Sequence, residues 1–158
     1  MGNFLNELGD VLFLDIETAS LESDFMELPP RLQEEWLKKE KHIMPKEEEG
    51  EPGSLFFQKA GIYAEFGKVI CVGVGYFHYL EEENKLEFRT KSYGEELEYD
   101  TLTAFCELLQ KKKWVLCAHN GKEFDFPYLS RRILINRIPL PEPLQIAGKK
   151  PWEVRHLD

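Results

Sequence analysis

Residues 11–18 read Val-Leu-Phe-Leu-Asp-Ile-Glu-Thr. The first four and Ile16 are apolar and several are branched, so the stretch reads as a buried central strand covered on both faces. Asp15 and Glu17 interrupt it. In a strand, residues i and i+2 point to the same side, about 6.5–7 Å apart. Two carboxylates at that spacing can share a divalent cation. The alternative is a solvated strand end with a turn at Thr18-Ala19-Ser20. A buried strand ending in two uncompensated acids is costly, since each charge needs a partner or a metal. Open α/β sheets place ligands at such carboxyl ends.

Outward from this strand the chain changes character. Residues 21–60 contain Pro29-Pro30, the helix-like RLQEEWLKKEKH and an acidic stretch from Pro45 to Ser54. They read as a solvated insertion with one helix, about Leu32 to Lys41, followed by a mobile loop. Lys68–Leu80 and Lys85–Ser92 read as strands joined by a turn at Glu82-Glu83-Asn84, hence an antiparallel hairpin. Glu95–Lys112 carries Leu97, Leu102, Phe105, Leu108 and Leu109 at helical spacing. Trp114–Ala118 reads as a short strand and Phe124–Ile135 as a second amphipathic helix with Pro127 in its first turn. Pro139–Pro143 breaks the chain, and Val154–Leu157 reads as the start of another strand. This order predicts an α/β fold, a mixed sheet flanked by helices.

The second chemical constellation is His119-Asn120-Gly121-Lys122-Glu123-Phe124-Asp125, between a short strand and a helix. Asp125 falls in the first helical turn, where a carboxylate is favoured by the helix dipole. Asn120 suits a turn or a cap.

Length and composition bound the rest. The chain has 158 residues, 42% of them hydrophobic and 31% charged, with a net charge of −9. At about 150 residues per domain this predicts a single domain, 1–158, carrying the insertion at about 21–60. Disorder, collagen and coiled-coil fibre are excluded. So acidic a chain does not bind polyanions through its global field. Any nucleic-acid function must use local basic residues or cations held by carboxylates. Cys71, Cys106 and Cys117 form no CxxC pair and read as buried small hydrophobes in a reducing compartment. The longest apolar run, Val69–Phe77, is far short of the roughly 20 residues that span a bilayer. The sequence MGNFLNELGD lacks the pattern of a signal peptide. A cytoplasmic location with no membrane partner is the expectation.

Taken together, the two constellations resemble the DEDD superfamily of 3′–5′ exonucleases. Asp15-Ile16-Glu17-Thr18 matches Asp-x-Glu-Thr, and Asn120 to Asp125 matches Asn-x-x-x-Phe-Asp. The stretches AEFGKVICVGVGYF and HNGKEFDFPYLSRR resemble the exonuclease domain of family B DNA polymerases and their stand-alone bacterial relatives. The likeness covers residues 11–18 and about 64–158. It implies an RNase H-like fold and hydrolysis of phosphodiester bonds at the 3′ end of single-stranded nucleic acid, DNA by family analogy.

It also implies two Mg²⁺ or Mn²⁺ ions about 3.5–4 Å apart. Asp15 would bridge them, Glu17 would hold the ion on the nucleophile side, and Asp125 would serve the leaving-group side. Thr18 and Asn120 would touch the substrate, with Phe124 more in the core than on a base. Lys122, Arg131, Arg132, Arg137 and Lys149-Lys150 are the local cations that could guide a strand, each with a solvated face as the plainer reading.

One departure matters. The family's third motif, Tyr-x-x-x-Asp or a His with a later Asp, is missing: none of Tyr63, Tyr76, Tyr79, Tyr93, Tyr99 and Tyr128 has an Asp four residues on. The resemblance therefore implies C-terminal helices beyond Asp158 that carry it. The competing reading is a truncated or degenerate exonuclease fold that binds nucleic acid or protein without cleaving. No sequence feature names a protein partner.

Overall fold

The structure, a computed structural model, describes residues 7–45 and 50–158. Its elements are β1 (Val11–Ser20), α1 (Pro30–Ile43), α2 (Phe56–Lys59), β2 (Gly67–Leu80), β3 (Lys85–Tyr93), α3 (Glu98–Gln110), β4 (Val115–Cys117) and α4 (Asp125–Ile135). The chain divides into two compact units. One comprises residues 1–17 and 69–158, the other residues 18–68.

The larger unit holds a four-stranded mixed sheet of order β3-β2-β1-β4. β4 runs parallel to β1, with Leu12 beside Leu116. β2 and β3 form the antiparallel hairpin, with Val72 paired to Tyr93 and Leu80 to Lys85. Asn84 closes that hairpin at φ +48°, in the left-handed region that Asn tolerates better than most side chains. Val154–Leu157 does not become a full strand. Only Leu157 bridges to Cys117, in parallel, so the sheet gains one more pairing at the outer edge of β4.

β1 is central in the sheet but is not covered on both faces. Leu12, Leu14 and Ile16 are buried, Val11 and Phe13 are half-buried, and Asp15 and Glu17 are exposed. The strand alternates, and the two acids lie on the more open side. It also continues through Thr18-Ala19-Ser20 instead of turning there. Leu12, Leu14, Leu102, Phe105, Leu109, Leu116, Phe126, Leu129 and Ile133 make up the core. Each such side chain contributes about 1.5–3 kcal/mol on burial. α3 presents Leu102, Phe105, Cys106 and Leu109 to this core, and α4 presents Phe126, Leu129 and Ile133. Leu97 stays outside, exposed at the residue before α3. Of the cysteines only Cys106 is buried; Cys71 and Cys117 are half-buried.

Residues 18–68 are more than a solvated insertion. They hold an apolar cluster of Leu28, Trp36, Phe56, Ala60 and Phe66. Trp36 packs edge-on against Phe56 at 5.2 Å and Phe66 at 5.1 Å. Pro30 starts α1, where its missing N–H costs nothing. Glu40, although buried, accepts hydrogen bonds from the backbone of Gly53 (2.6 Å) and Leu55 (2.8 Å). The described part of the loop after α1 is therefore tied to the helix, not loose. The remainder of the acidic stretch, 46–49, and positions 1–6 lie outside the described residues.

Candidate active site

Asp125 is the first residue of α4 and only 2% exposed. Its Oδ1 has no hydrogen-bond partner. Burial pushes the carboxyl above its ordinary range, and the charges of Asp15 and Asp158 push it further. The N–H groups of Asp125 itself and of Ile16 work the other way. The hydrogen bond from the Ile16 N–H brings the Asp125 carboxyl against β1 at Ile16. Glu17 is exposed two residues beyond Asp15 on the same side of the strand. Asp15 also borders a shallow hollow of about 330 Å³ together with Phe13, Gly73, Gly75 and Phe88. Phe13 meets Phe77 and Phe88 edge-on at 5.9 and 5.8 Å.

The turn that delivers Asp125 has local causes. Asn120 takes φ +55° and its carbonyl accepts the N–H groups of Glu123 (3.3 Å) and Phe124 (3.0 Å). Asn120 serves the turn through its backbone and does not cap α4, whose N-cap position is Phe124 with no side-chain hydrogen bond. Gly121 is buried where a Cβ would come within 2.6 Å of the Ala118 Cβ and 2.8 Å of the Phe126 ring. Only glycine lets the turn approach β4 this closely. The Gly121 carbonyl then accepts the Phe126 N–H at 2.9 Å.

The other expected substrate contacts differ in availability. Phe124 is half-buried and tilts against Tyr128 at 5.4 Å, a packing role. Lys122 is half-buried, Arg131 and Asn120 are exposed, and Thr18 is half-buried in the last part of β1. Arg132 is not available to a nucleic-acid strand. It is buried and bonds Glu98 through Nε at 2.8 Å and Nη2 at 2.6 Å. Lys112, in the run after α3, bonds the Gly9 carbonyl and Asp10 and lies over the Trp114 ring. Its role is local anchoring.

Asp158 falls outside both sequence motifs. Its Oδ2 accepts the Lys122 N–H at 3.4 Å, and its charge reaches both Asp125 and Cys117. The segment before it is fixed by His156, whose Nδ1 accepts the Leu116 N–H (3.1 Å) while Nε2 meets the Pro143 carbonyl (2.6 Å).

Among the described residues no group of three or more His, Cys, Asp or Glu side chains stands gathered to hold a metal ion. The donors nonetheless suit a hard divalent cation. They are all carboxylate oxygens, and one of them, Asp125 Oδ1, is buried without a partner.

A mixed sheet of this order flanked by helices is consistent with the class of RNase H-like proteins. A family model described as RNase_H superfamily matches residues 58–158, and the chain belongs to that superfamily. Membership suggests a nuclease-type function and contact with nucleic acid. No curated protein and no solved structure matched the chain. No helix among the described residues is long and apolar enough to cross a membrane.

Proposed function

We propose that the protein is a metal-dependent 3′–5′ exonuclease acting on single-stranded nucleic acid, DNA by analogy with the family B polymerase exonucleases it resembles. The observation that carries this reading is Asp125: a buried carboxyl with an unpartnered oxygen, raised in pKa by burial and by the charge of Asp15. A buried acid raised by burial and by a neighbouring charge, with one oxygen unpartnered, is a mark of a functional site.

In this reading Asp15, Glu17 and Asp125 hold Mg²⁺ or Mn²⁺. Bound there, two divalent ions would lower the pKa of a water to give hydroxide and neutralise charge on the phosphate and the leaving 3′ oxygen. Asp15 and Glu17 are exposed, whereas Asp125 is buried. Like charges spread apart by themselves, and a shared cation reverses the sign of that interaction. Thr18 and Asn120 position the terminal nucleotide. Lys122 and Arg131 offset the net charge of −9 along the path of the strand. Gripping a single strand through backbone and stacking contacts requires no reading of base edges.

A second reading has its own observation. The described residues include no ready group of three metal-binding side chains, which favours a non-catalytic module that binds nucleic acid or protein. A 5′-labelled single strand incubated with Mn²⁺ and the full-length protein separates the two. The exonuclease reading expects a stepwise ladder from the 3′ end. It also expects Asp15→Ala to reduce the rate by more than about 100-fold, since even groups behind metal ligands cost 10–100-fold. Strand binding with no ladder supports the module, and equal cleavage by both proteins refutes the role of Asp15.

A further inference from the structure

We propose that the open face of the sheet beside Asp15 is a stacking platform for the bases of a single strand, built from Phe13, Phe77 and Phe88. The inference deepens the exonuclease reading above and rests on it for the kind of chain that is bound.

The strand register places these rings. Across the hairpin Phe77 pairs with Phe88, Gly75 with Thr90 and Gly73 with Ser92, so these residues share one face of β2 and β3. Val72, Val74 and Tyr93 take the other face, which is buried. Phe13 meets both Phe77 and Phe88, so it belongs to the open face, and Asp15 follows it two residues on. The Phe77 and Phe88 rings lie 4.9 Å apart between centroids, tilted to each other.

These rings are not sealed into the core. Phe88 is 51% exposed, and Phe13 and Phe77 are half-buried. Aromatic side chains gathered at an open surface mark an interaction site. Two glycines keep side chains out of the hollow that Phe88 and Asp15 both line. A Cβ at Gly75 would collide with the Phe88 ring, and one at Gly73 would meet nothing nearer than the Asp15 carbonyl at 3.8 Å.

A nucleobase is the occupant this surface suits. Asp15 lines the same hollow, so a group seated on the rings lies next to the first of the proposed cation ligands. An unpaired strand presents a flat π-face on every base, and a phenyl ring takes any of them. Stacking also holds a polyanion without calling on positive charge, which a chain of net charge −9 lacks.

The test mixes the full-length protein with a short single strand carrying 2-aminopurine at its 3′ end, in Ca²⁺, and reads base fluorescence and anisotropy. Wild type is expected to bind the strand and quench the base. Phe88→Ala is expected to weaken binding about 10-fold and to relieve the quench, and Phe88→Trp to retain both. Phe88→Leu keeps apolar bulk without a ring and takes the place of the alanine variant if that does not fold. Unchanged affinity and quench in the ring-free variant overturn the platform, and a Mn²⁺-dependent ladder from the same variant leaves the exonuclease reading standing. A quench that depends on the ring, with no ladder from wild type, supports the platform while the nuclease reading fails. A sedimentation mass of two chains that falls to one in Phe88→Ala, with strand affinity unchanged, gives the face to a second copy and overturns the platform. Wild type that binds no strand overturns it as well.

Discussion

Glu98 and Asp125 each begin a helix, and each is largely buried, yet their surroundings are opposite. The Glu98 side chain is 12% exposed. It accepts hydrogen bonds from the Val69 N–H (2.7 Å), from Arg132 and from Asn136 (2.9 Å). Burial alone would raise its pKa, but the bonds from Arg132, Val69 and Asn136 outweigh burial and hold the carboxyl below its ordinary range. Asp125 has an orphan oxygen, two acidic neighbours and a raised pKa. Depth is common to both, so depth does not mark the functional acid. The difference lies in what surrounds the charge: Glu98 is answered by a cation and amides, Asp125 by backbone N–H groups alone and by more acid.

The contrast can be broken from the Glu98 side with the largest effect. Glu98→Ala leaves the buried Arg132 without its carboxylate, and a loss of about 3–5 kcal/mol is expected in urea unfolding. Next comes the turn that delivers Asp125. Gly121→Ala forces a Cβ against Ala118 and Phe126, at an expected cost of about 1–3 kcal/mol, with activity falling further than stability because Asp125 moves. From the Asp125 side the sign reverses. Asp125→Asn removes a charge that folding opposes, so the metal-free melting temperature should rise by about 2–4 °C, the equivalent of ~1 kcal/mol in a chain of this size, while cleavage is lost. A fall instead would show that Asp125 is as well compensated as Glu98.

The smallest effect concerns acid. With a folded pKa below the ordinary 4.5, Glu98 contributes stability that is fully present above pH 4.5 and is lost as pH falls through its lower folded value. Glu98→Gln should flatten that part of a stability–pH profile. Asp125 has the opposite linkage, and its contribution fades as pH rises.

Much of this arrangement could be read in the sequence where the information is periodic. The hairpin, both helices of the larger unit and the short strand at 115–117 follow from spacing of apolar residues, and their observed limits differ by a few residues. What spacing could not show was which face of β1 is open, because its run of apolar residues hides the alternation between Leu12 and Phe13. Nor could it show Arg132 as buried. Its partner Glu98 lies 34 residues away, and an arginine on an amphipathic helix looks the same whether it faces water or an acid. Residues 18–68 were underestimated for a related reason. Their apolar residues Leu28, Trp36, Phe56 and Phe66 are scattered among charges and meet only in three dimensions. Asp125 was recognisable from its motif, and its missing partner only from coordinates.

The imidazole of His156 has a chemical consequence of its own. One ring nitrogen accepts from Leu116 and the other donates to Pro143, so the neutral tautomer is fixed and no lone pair remains to offer. Borderline metals such as zinc or nickel, which seek imidazole, find none at that ring. Two residues before Asp158, the chain has spent its imidazole on holding itself together.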